Sequence, residues 1–448
     1  MGRLFGTDGA RGVAGTELTP ELAMNIGRAA ACVLTESTHR PKFLIGKDTR
    51  QSSDMLEAAL AAGLCAVGAD VMILGVVPTP AVAYLVKKYA CDAGVMISAS
   101  HNPCEFNGIK IFQGTGYKLP DEIENRIEAI ILDGAEVPPV KTGGDVGRIT
   151  YADTAVEDYI AHICTASQAD FSGMKVAFDC ANGSSSATAL KLFKRLGIEG
   201  VYTAYEPNGT NINDGCGSTH LEALKKTVLE NGCELGFAFD GDADRMLAVD
   251  ENGQEVDGDK IIAICAKYMK ENGNLKNDTA VVTVMSNMGF FKFCEENDIR
   301  CEKTSVGDRY VLENMLANGH NIGGEQSGHV IFLDYATTGD GQLSAVMLLN
   351  VLKHSGKKLS ELASQMQVYP QVLVNVKVTA AGKAAYAEDT VISQRINEAE
   401  KQMGDTGRVL VRLSGTEPLI RVMLEGKDLE QITAIANDIA GLVKERLA

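Results

Sequence analysis

An acidic loop, Asp240-Gly-Asp-Ala-Asp-Arg245, places three aspartates at alternate positions directly after a run of apolar residues. Carboxylates this close repel one another unless a cation lies among them, and hard divalent ions prefer oxygen ligands. We therefore predict that Asp240, Asp242 and Asp244 bind a metal ion, and Mg²⁺ suits them because three carboxylates leave a ligand position for phosphate. A solvated acidic turn is the alternative. An EF-hand is disfavoured because Arg245 stands at the sixth position, where that loop needs glycine.

A second polar loop, Ser98-Ala-Ser-His-Asn-Pro103, holds Ser100 among small residues. It differs from the G-x-S-x-G elbow of the α/β-hydrolases. On an extended backbone His101 would point away from Ser100, so an adjacent serine–histidine dyad is not predicted. A serine close to a metal can instead hold a phosphoryl group, whose charge the cation neutralises. Considered alone, the segment is more typical of a simple turn.

Two further loops combine glycine with polar side chains. The segment Gly323-Gly-Glu-Gln-Ser-Gly-His329 presents Glu325 and Ser327, a carboxylate and a hydroxyl that suit neutral sugar hydroxyls. A plain flexible loop is the alternative there. The segment Arg412-Leu-Ser-Gly-Thr-Glu-Pro418, with Arg421 nearby, has the glycine, hydroxyls and arginines of an anion nest without the Walker spacing. A turn between two strands is the alternative for this segment.

Short apolar runs precede the first three loops and recur in a regular order. The runs fall into three units: 43–46, 71–74 and 94–98; 176–179, 201–204 and 235–239; and 280–285, 299–303 and 321–324. In each unit the third run leads into one of the polar loops. Amphipathic stretches between the runs predict three related α/β domains that present these loops at strand ends, where α/β folds bind ligands.

Residues typical of helix ends support the predicted helices, and the strand pattern changes after Tyr369, which indicates a different last domain. Thr19-Pro20 is typical of a helix start, and Thr219 with Glu222 forms a capping-box pattern before a helix that Gly232 would end. Beyond Tyr369 we predict a smaller domain with strands at 372–378, 408–413 and 419–425 and helices at 388–403 and from 429. The predicted domains are 1–155, 156–255, 256–368 and 369–448.

The length and composition of the chain limit the number of domains, the kinds of partner and the cellular location that it can have. The chain has 448 residues, which suits three or four domains at ~150 residues each. Its 59 acidic and 42 basic residues give a net charge of −17, which disfavours nucleic acid and anionic membranes as partners. Eleven cysteines without a C-x-x-C pair argue against a zinc site or a disulfide framework. With no secretory signal or membrane-spanning run, we expect reduced thiols and a cytoplasmic location.

Together the loops resemble those of the α-D-phosphohexomutases. The matching segments, in family order, are Phe5-Gly-Thr-Asp-Gly-Ala-Arg-Gly12 and residues 98–103, 240–245, 324–329 and 412–418. The resemblance covers nearly the whole chain. It implies an α/β protein of four domains around a central cleft, three of related topology with mixed sheets and a smaller α+β C-terminal domain.

The resemblance also implies roles for individual residues. Ser100 would carry the phosphoryl group and, with the three aspartates, bind one Mg²⁺ per chain. The residues implied to contact sugar hydroxyls are Glu325 and Ser327. Those implied to bind the substrate phosphate are Arg412, Ser414, Gly415 and Thr416. Arg309 and Arg421 are further candidates for substrate binding. Arg11, Lys110 and Arg245 would add cationic stabilisation, and His101 or Lys110 would move the hydroxyl proton.

Two short stretches, 306–310 and 324–327, look like the branch of the family that acts on glucosamine phosphates. The implied reaction converts glucosamine 6-phosphate reversibly to glucosamine 1-phosphate through a 1,6-bisphosphate, for amino-sugar nucleotide (UDP-N-acetylglucosamine) and cell-wall synthesis. Glucosamine or glucose 1,6-bisphosphate is expected as the intermediate or activator. Alternative substrates are the glucose and mannose phosphates. Rival classes are a metal-dependent sugar phosphatase with Asp240 as nucleophile and a non-enzymatic sugar-phosphate binder. A homodimer is the candidate assembly, and the sequence leaves open the oligomeric state and the resting phosphorylation of Ser100.

Overall fold

The computed structural model describes residues 3–6, 9–35, 39–135, 139–414 and 418–448. The chain forms two compact units. The first consists of the residues up to Met285 together with Ile299–Ser364, and the second of Ser286–Asp298 together with Gln365–Ala448. Within the described ranges, the first unit carries three β-sheets and the second carries one.

The first sheet combines parallel and antiparallel strands. Its strands are β1 (Phe5–Gly6), β2 (Gly9–Val13), β3 (Lys42–Lys47), β4 (Asp70–Val76), β5 (Ala93–Ile97), β6 (Phe106–Gln113) and β7 (Ile149–Tyr151), with helices α1 (Pro20–Leu34), α2 (Gln51–Ala66), α3 (Thr79–Lys88) and α4 (Asp121–Asp133). The strand order is β1-β2-β6-β5-β3-β4-β7, and β3 runs parallel to both β4 and β5. The serine loop therefore begins where β5 ends, at the carboxyl edge of a parallel group.

Helix α1 begins where the sequence predicted. Thr19 Oγ1 accepts a 3.2 Å hydrogen bond from Leu22 N, which satisfies one of the unpaired donors at the helix start. Ile26 is fully buried and shares one core with Leu60 of α2 and Phe43 of β3. Burial of such a side chain stabilises the fold by about 1.5–3 kcal/mol, so this apolar stripe fixes the helix against the sheet.

The second sheet carries the acidic loop. Its elements are α5 (Ala155–Cys164), β8 (Lys175–Asp179), α6 (Ala189–Arg195), β9 (Glu199–Thr203), α7 (Glu222–Asn231), β10 (Leu235–Phe239), β11 (Met246–Asp250) and β12 (Glu255–Val256), in the strand order β12-β11-β10-β8-β9. The predicted capping box was wrong, because α7 begins at Glu222 without a side-chain cap. Thr219 Oγ1 instead lies 3.1 Å from His220 Nδ1, before the helix. Gly232 ends α7 with a left-handed φ of 62°, as predicted.

The third sheet has the order β14-β13-β15-β16. The elements in this part of the chain are α8 (Gly258–Glu271), β13 (Thr279–Thr283), α9 (Met288–Glu296), β14 (Arg300–Thr304), α10 (Asp308–Asn318), β15 (Ile322–Gly324), β16 (Val330–Phe332), α11 (Gly341–Ser355) and α12 (Leu359–Ala363). Strand β13 is parallel to β14 and β15, so the apolar run predicted at 299–303 does pair within the sheet. Helix α9 belongs to the second unit.

The second unit contains an antiparallel sheet of order β17-β19-β18. Its remaining elements are β17 (Gln371–Lys377), α13 (Ala380–Ala385), α14 (Thr390–Met403), β18 (Gly407–Leu413), β19 (Leu419–Gly426) and α15 (Leu429–Leu447). Buried Val376, Val422 and Ile432 share one core here. The predicted strands and the two longer helices are present, whereas the sequence pattern did not predict α13.

The mixed α/β fold class predicted from the sequence is confirmed by the sheets and helices described here. All eleven cysteines lie within the described residues, and none of them forms a disulfide there. Burial raises the pKa of Cys180 and of Cys265 to about 12, so neither thiol is suited to act as a nucleophile. Across the described part of the chain, no helix combines the length and the apolar character needed to cross a membrane.

Candidate active site

The loops that follow β5 and β10 meet inside the first unit. Ser100 Oγ donates a 2.6 Å hydrogen bond to Asp240 Oδ2, although the two residues are 140 positions apart. Ser100 is only 1% exposed and Asp240 is fully buried. The structure therefore joins the serine loop and the aspartate loop into one enclosed polar site.

The three aspartates form a group that fits a metal ion. One carboxylate oxygen from each of Asp240, Asp242 and Asp244 lies within 4.8 Å of the others, and all three residues are buried. Asp244 Oδ1 is buried and accepts no hydrogen bond from the residues that the structure describes. Three converging carboxylates of this kind are the donors that a hard divalent cation prefers.

A tight turn between β10 and β11 brings these carboxylates together. Ala243 has a φ of 57°, a left-handed conformation that few non-glycine residues adopt. Arg245 N donates a 3.2 Å hydrogen bond to Asp240 Oδ1 and closes the turn. A Cβ atom on Gly241 would lie 2.4 Å from Ser100 O, so glycine is required where the two loops approach.

Lys110 lies beside the triad and is almost completely buried. Its Nζ is 2.8 Å from Asp242 Oδ2 and 3.8 Å from Asp244 Oδ2. Thr79, the first residue of α3, donates a 2.7 Å hydrogen bond to the same Asp242 oxygen. Burial, with repulsion from Asp242 and Asp244, still raises the pKa of Asp240 well above its ordinary value. The negative charge of the triad is thus incompletely balanced, which favours binding of a divalent cation.

Ser100 does not have the extended backbone on which the sequence-based expectation rested. Its φ is 52°, and its N donates a 3.1 Å hydrogen bond to Ser98 Oγ. Ser100 Oγ lies 3.3 Å from His101 Nδ1. The expectation that His101 points away was wrong, because the left-handed φ removes the alternation of an extended strand.

Positive groups surround the His101 ring. Arg245 Nη1 lies 3.4 Å from His101 Nδ1. Burial, followed by the charges of Arg245 and Arg11, lowers the pKa of His101. The lowered pKa favours the neutral imidazole, which has one ring nitrogen free to accept a hydrogen bond. The structure places Arg11, His101 and Arg245 in one neighbourhood, next to Ser100 and the Lys110–aspartate cluster.

The loop after β15 is joined to the acidic turn through the backbone. Met246 N, at the start of β11, donates to Gly328 O at 3.1 Å. Glu325 Oε1 accepts a 3.2 Å hydrogen bond from Gly307 N, while Ser327 is exposed. This loop therefore presents an oriented carboxylate and an exposed hydroxyl, the pair that the sequence predicted for sugar contacts.

Arg309 is held by carboxylates in this structure. It contacts Asp121, and its Nε donates a 2.8 Å hydrogen bond to Glu313 Oε1. These ion pairs would have to open before Arg309 could contact a substrate, so its role in substrate binding stays a prediction.

Two arginines face each other in the second unit. Arg412 of β18 is paired in register with Arg421 of β19, and like charges directly opposite are unfavourable in a sheet. Burial, followed by the charge of Arg421, lowers the pKa of Arg412. A bound anion would relieve this repulsion. Ser414 is buried at the end of β18, whereas Gly415 and Thr416 lie outside the described residues.

Sequence patterns did not reveal the polar residues that support the triad. His329 is buried, with Nδ1 3.6 Å from Asp244 Oδ2 and Nε2 3.5 Å from Asp308 Oδ2. Burial opposes the charged imidazole, but Asp244 and Asp308 outweigh it and raise the pKa of His329. Lys118 Nζ donates to the same Asp308 at 2.6 Å. His329 is the last residue of the polar loop 323–329 that the sequence analysis describes. Its place in that loop is the sequence feature by which it could have been found.

Models of the phosphoglucomutase/phosphomannomutase domains match four segments of the chain. The α/β/α domains I, II and III match residues 2–137, 157–253 and 257–369, and the C-terminal domain matches residues 373–442. A phosphoglucosamine mutase from Clostridium tetani (strain Massachusetts / E88) is 56% identical over 446 residues, which cover 100% of both chains. The chain belongs to the phosphoglucomutase/phosphomannomutase family. The resemblance to the phosphohexomutases is therefore confirmed, and membership of this family implies a metal cofactor, for which the buried aspartate triad is suited.

Solved structures of this family share the fold. A family member from Burkholderia thailandensis has a TM-score of 0.83 at 23% identity, covering 99% of this chain and 98% of its own. An N-acetylphosphoglucosamine mutase from Aspergillus fumigatus, in complex with GlcNAc-6P and magnesium, has a TM-score of 0.63 at 19% identity and covers 87% of this chain and 94% of its own.

Proposed function

We propose that this protein is an isomerase that interconverts glucosamine 6-phosphate and glucosamine 1-phosphate by intramolecular phosphoryl transfer. The observation that carries the proposal is the buried contact between Ser100 Oγ and Asp240 within the carboxylate triad. The full-length similarity to a phosphoglucosamine mutase supports the choice of substrate. Transfer through a loose transition state depends mainly on positioning and charge neutralisation, which this site offers.

The reaction begins with phosphorylated Ser100. The bond between Ser100 Oγ and phosphorus breaks while phosphorus bonds to the free O1 hydroxyl oxygen of glucosamine 6-phosphate. The hydroxyl loses its proton and Ser100 Oγ gains one, which yields a 1,6-bisphosphate. In the second half, after the bisphosphate has turned round, the bond between O6 and phosphorus breaks while this phosphorus bonds to Ser100 Oγ. Ser100 Oγ loses its proton and O6 gains one, so glucosamine 1-phosphate leaves and Ser100 is phosphorylated again. His101 Nδ1, 3.3 Å from Ser100 Oγ, is placed to hold the proton of the serine.

Asp240, Asp242 and Asp244, together with the phosphoryl group on Ser100, would hold one Mg²⁺. When bound, the ion neutralises charge on the transferring phosphoryl group. Lys110, ion-paired with Asp242, orients this carboxylate, and Arg11 and Arg245 add positive charge near His101. The magnesium in the related Aspergillus fumigatus structure supports this choice of metal.

Two sets of residues are assigned to substrate recognition. We assign sugar contacts to Glu325 and Ser327, and phosphate contacts to Arg412, Ser414, Gly415, Thr416 and Arg421. Arg309 is assigned to substrate binding without a specified contact. The oriented carboxylate of Glu325 and the facing arginines Arg412 and Arg421 support these assignments. One phosphate site can serve both orientations of the bisphosphate. The phosphates on O1 and O6 are chemically alike, so the site can bind whichever of them is not being transferred.

Replacing Arg412 with alanine should raise KM for glucosamine 6-phosphate about 10- to 100-fold, the loss expected for one charge-assisted hydrogen bond. Thermal stability should change little, because Arg421 then loses a like-charged neighbour. Steady-state kinetics and thermal melts would measure both effects. Arg395→Ala, which removes an exposed ion pair with Asp438 in the same unit, is the control and should leave KM unchanged. An unaltered KM in Arg412→Ala would remove this arginine from the phosphate site.

The proposed activity is tested with purified protein, Mg²⁺ and a trace of glucose 1,6-bisphosphate as activator. Glucosamine 6-phosphate should be isomerised with a higher kcat/KM than glucose or mannose phosphates. Preference for either of these would assign the chain to another branch of the family. Net release of inorganic phosphate without isomerised product would instead favour a phosphatase.

Three further proposals concern the whole protein. We propose that the four family segments fold as domains 1–155, 156–255, 256–368 and 369–448, that the enzyme acts in the cytoplasm, and that it forms a homodimer. The free thiols support the location. Limited proteolysis, cell fractionation and light scattering test these proposals in turn.

A further inference from the structure

A buried ion pair lies directly beneath the loop that carries Ser100. Asp48 and Arg50 follow β3, their side chains are 0% exposed, and Arg50 Nε donates a 2.8 Å hydrogen bond to Asp48 Oδ2. Asp48 also accepts hydrogen bonds from Ser53 Oγ at 2.9 Å and from Ser98 Oγ at 2.6 Å. Asp48 is thus bound to helix α2 on one side and to the first residue of the serine loop on the other.

The other donors of Arg50 bind carbonyl groups of the serine loop. Its Nη2 donates to Ser100 O at 3.0 Å and to Asn102 O at 2.8 Å, and its Nη1 donates to Pro103 O. Asn213 donates from the opposite side to the same Ser100 and Asn102 oxygens, at 2.9 and 3.0 Å. Three carbonyl groups within four residues are therefore directed at one guanidinium.

The hydrogen bonds of Arg50 need the geometry of a guanidinium, and packing alone would not require a charged side chain at this position. A buried ion pair contributes little to stability compared with apolar residues of similar volume. The left-handed backbone of Ser100 is strained and persists only where its surroundings hold it. A planar guanidinium offers donors in a fixed fork, which a lysine ammonium on a flexible stem does not reproduce. The ion pair therefore fits a role in fixing the conformation of the loop.

We propose that Arg50, oriented by Asp48, is a positioning residue that fixes Ser100 Oγ beside the aspartate triad for phosphoryl transfer. This proposal rests on the proposed role of Ser100 as the phosphoryl carrier. With the loop carbonyl groups bound, the phosphorylated side chain stays in line with the sugar hydroxyl. A loosened loop would slow transfer to the sugar and expose the phosphoserine to water, so that more of it is hydrolysed in each turnover.

The test is Arg50→Lys, which keeps the charge opposite Asp48 and removes the fork. We expect kcat to fall about 100-fold, the loss that a misplacement of about 1 Å causes, while KM for glucosamine 6-phosphate stays unchanged. The inorganic phosphate released per isomerised sugar should rise. Lys47→Gln is the matched control: Lys47 lies three residues away and binds Asp54 and Glu57 of α2, so its loss disturbs the same segment without touching the loop.

In Lys47→Gln, kcat and the inorganic phosphate released per isomerised sugar should equal those of the wild type. Wild-type values in Arg50→Lys, or the same losses in Lys47→Gln, would overturn the proposal. If Arg50→Lys does not fold, Asp48→Asn decides, because it keeps the shape of the side chain and removes the charge that orients Arg50. A normal kcat in Asp48→Asn would overturn the proposal as well. Wild-type protein without phosphate on Ser100 and without isomerase activity would instead contradict the proposed function itself.

Discussion

Ser100→Ala should abolish isomerisation, lowering kcat at least about 10⁴-fold, because the covalent relay that carries the phosphoryl group is lost. The fold should stay intact, since the change removes one hydroxyl and its hydrogen bond to Asp240. A coupled assay of glucosamine 1-phosphate formation would measure activity. Intact-protein and peptide mass spectrometry should find phosphate on Ser100 in the wild type and none at this position in the variant.

Ser184→Ala provides a control for this experiment. Ser184 is fully buried in the same unit, and within the described residues its hydroxyl forms no hydrogen bond, so its removal should leave kcat unchanged. If Ser100→Ala turned over at a near-normal rate when a 1,6-bisphosphate was added, Ser100 would not be the phosphoryl carrier. Phosphate found on Asp240 would point to the rival phosphatase chemistry.

Asp240→Asn should be almost as damaging, with a loss in kcat of at least about 10³-fold, because charge neutralisation of the phosphoryl group depends on the metal. The same loss should follow chelation of the wild type and be reversed by added Mg²⁺. For the wild type, Mg²⁺ at 100 times its Kd should stabilise the fold by about 2.7 kcal/mol. The variant should lose this stabilisation. Thermal melts with and without Mg²⁺ would measure it.

The metal-free proteins offer a second comparison. Burial and two neighbouring carboxylates disfavour the charged form of Asp240, so Asp240→Asn should melt at a higher temperature than the wild type when no metal is present. Asp250→Asn is the control: Asp250 is buried on β11 and accepts hydrogen bonds from Asn252 N and Gln254 N, outside the triad. It should respond to Mg²⁺ like the wild type. An equal response in Asp240→Asn would remove Asp240 from the metal site.

Sequence patterns predicted most secondary structure because short buried strands and amphipathic helices depend on local residue order. Strand β10 lies at Leu235–Phe239, where an unbroken apolar run stands in the sequence, and Thr19 caps α1 as its residue type indicates. The capping box at Thr219 failed because α7 begins at Glu222, two residues later than a cap at Thr219 requires. The helix α13 was missed because its alanine-rich sequence has little apolar periodicity.

The acidic loop and the serine loop could be recognised individually, because like charges at close spacing and a serine among small residues are visible in the chain. Their contact could not be derived, since it depends on how sheets from distant segments pack. The expectation for His101 was wrong for a related reason: Ser100 has a left-handed φ, in a loop that binds Arg50 and Asn213 from elsewhere in the fold, and residue order alone does not reveal this.

By itself, the sequence determined the fold class, the residue types available for phosphoryl transfer and the resemblance to the phosphohexomutases. Only the tertiary structure decided that Ser100 reaches Asp240, that Lys110 pairs with Asp242 and that Arg309 is held by Asp121 and Glu313. The physical reason is that side-chain chemistry and local periodicity are properties of neighbouring residues, whereas distances of a few ångströms between remote residues arise from packing, burial and the compensation of buried charge.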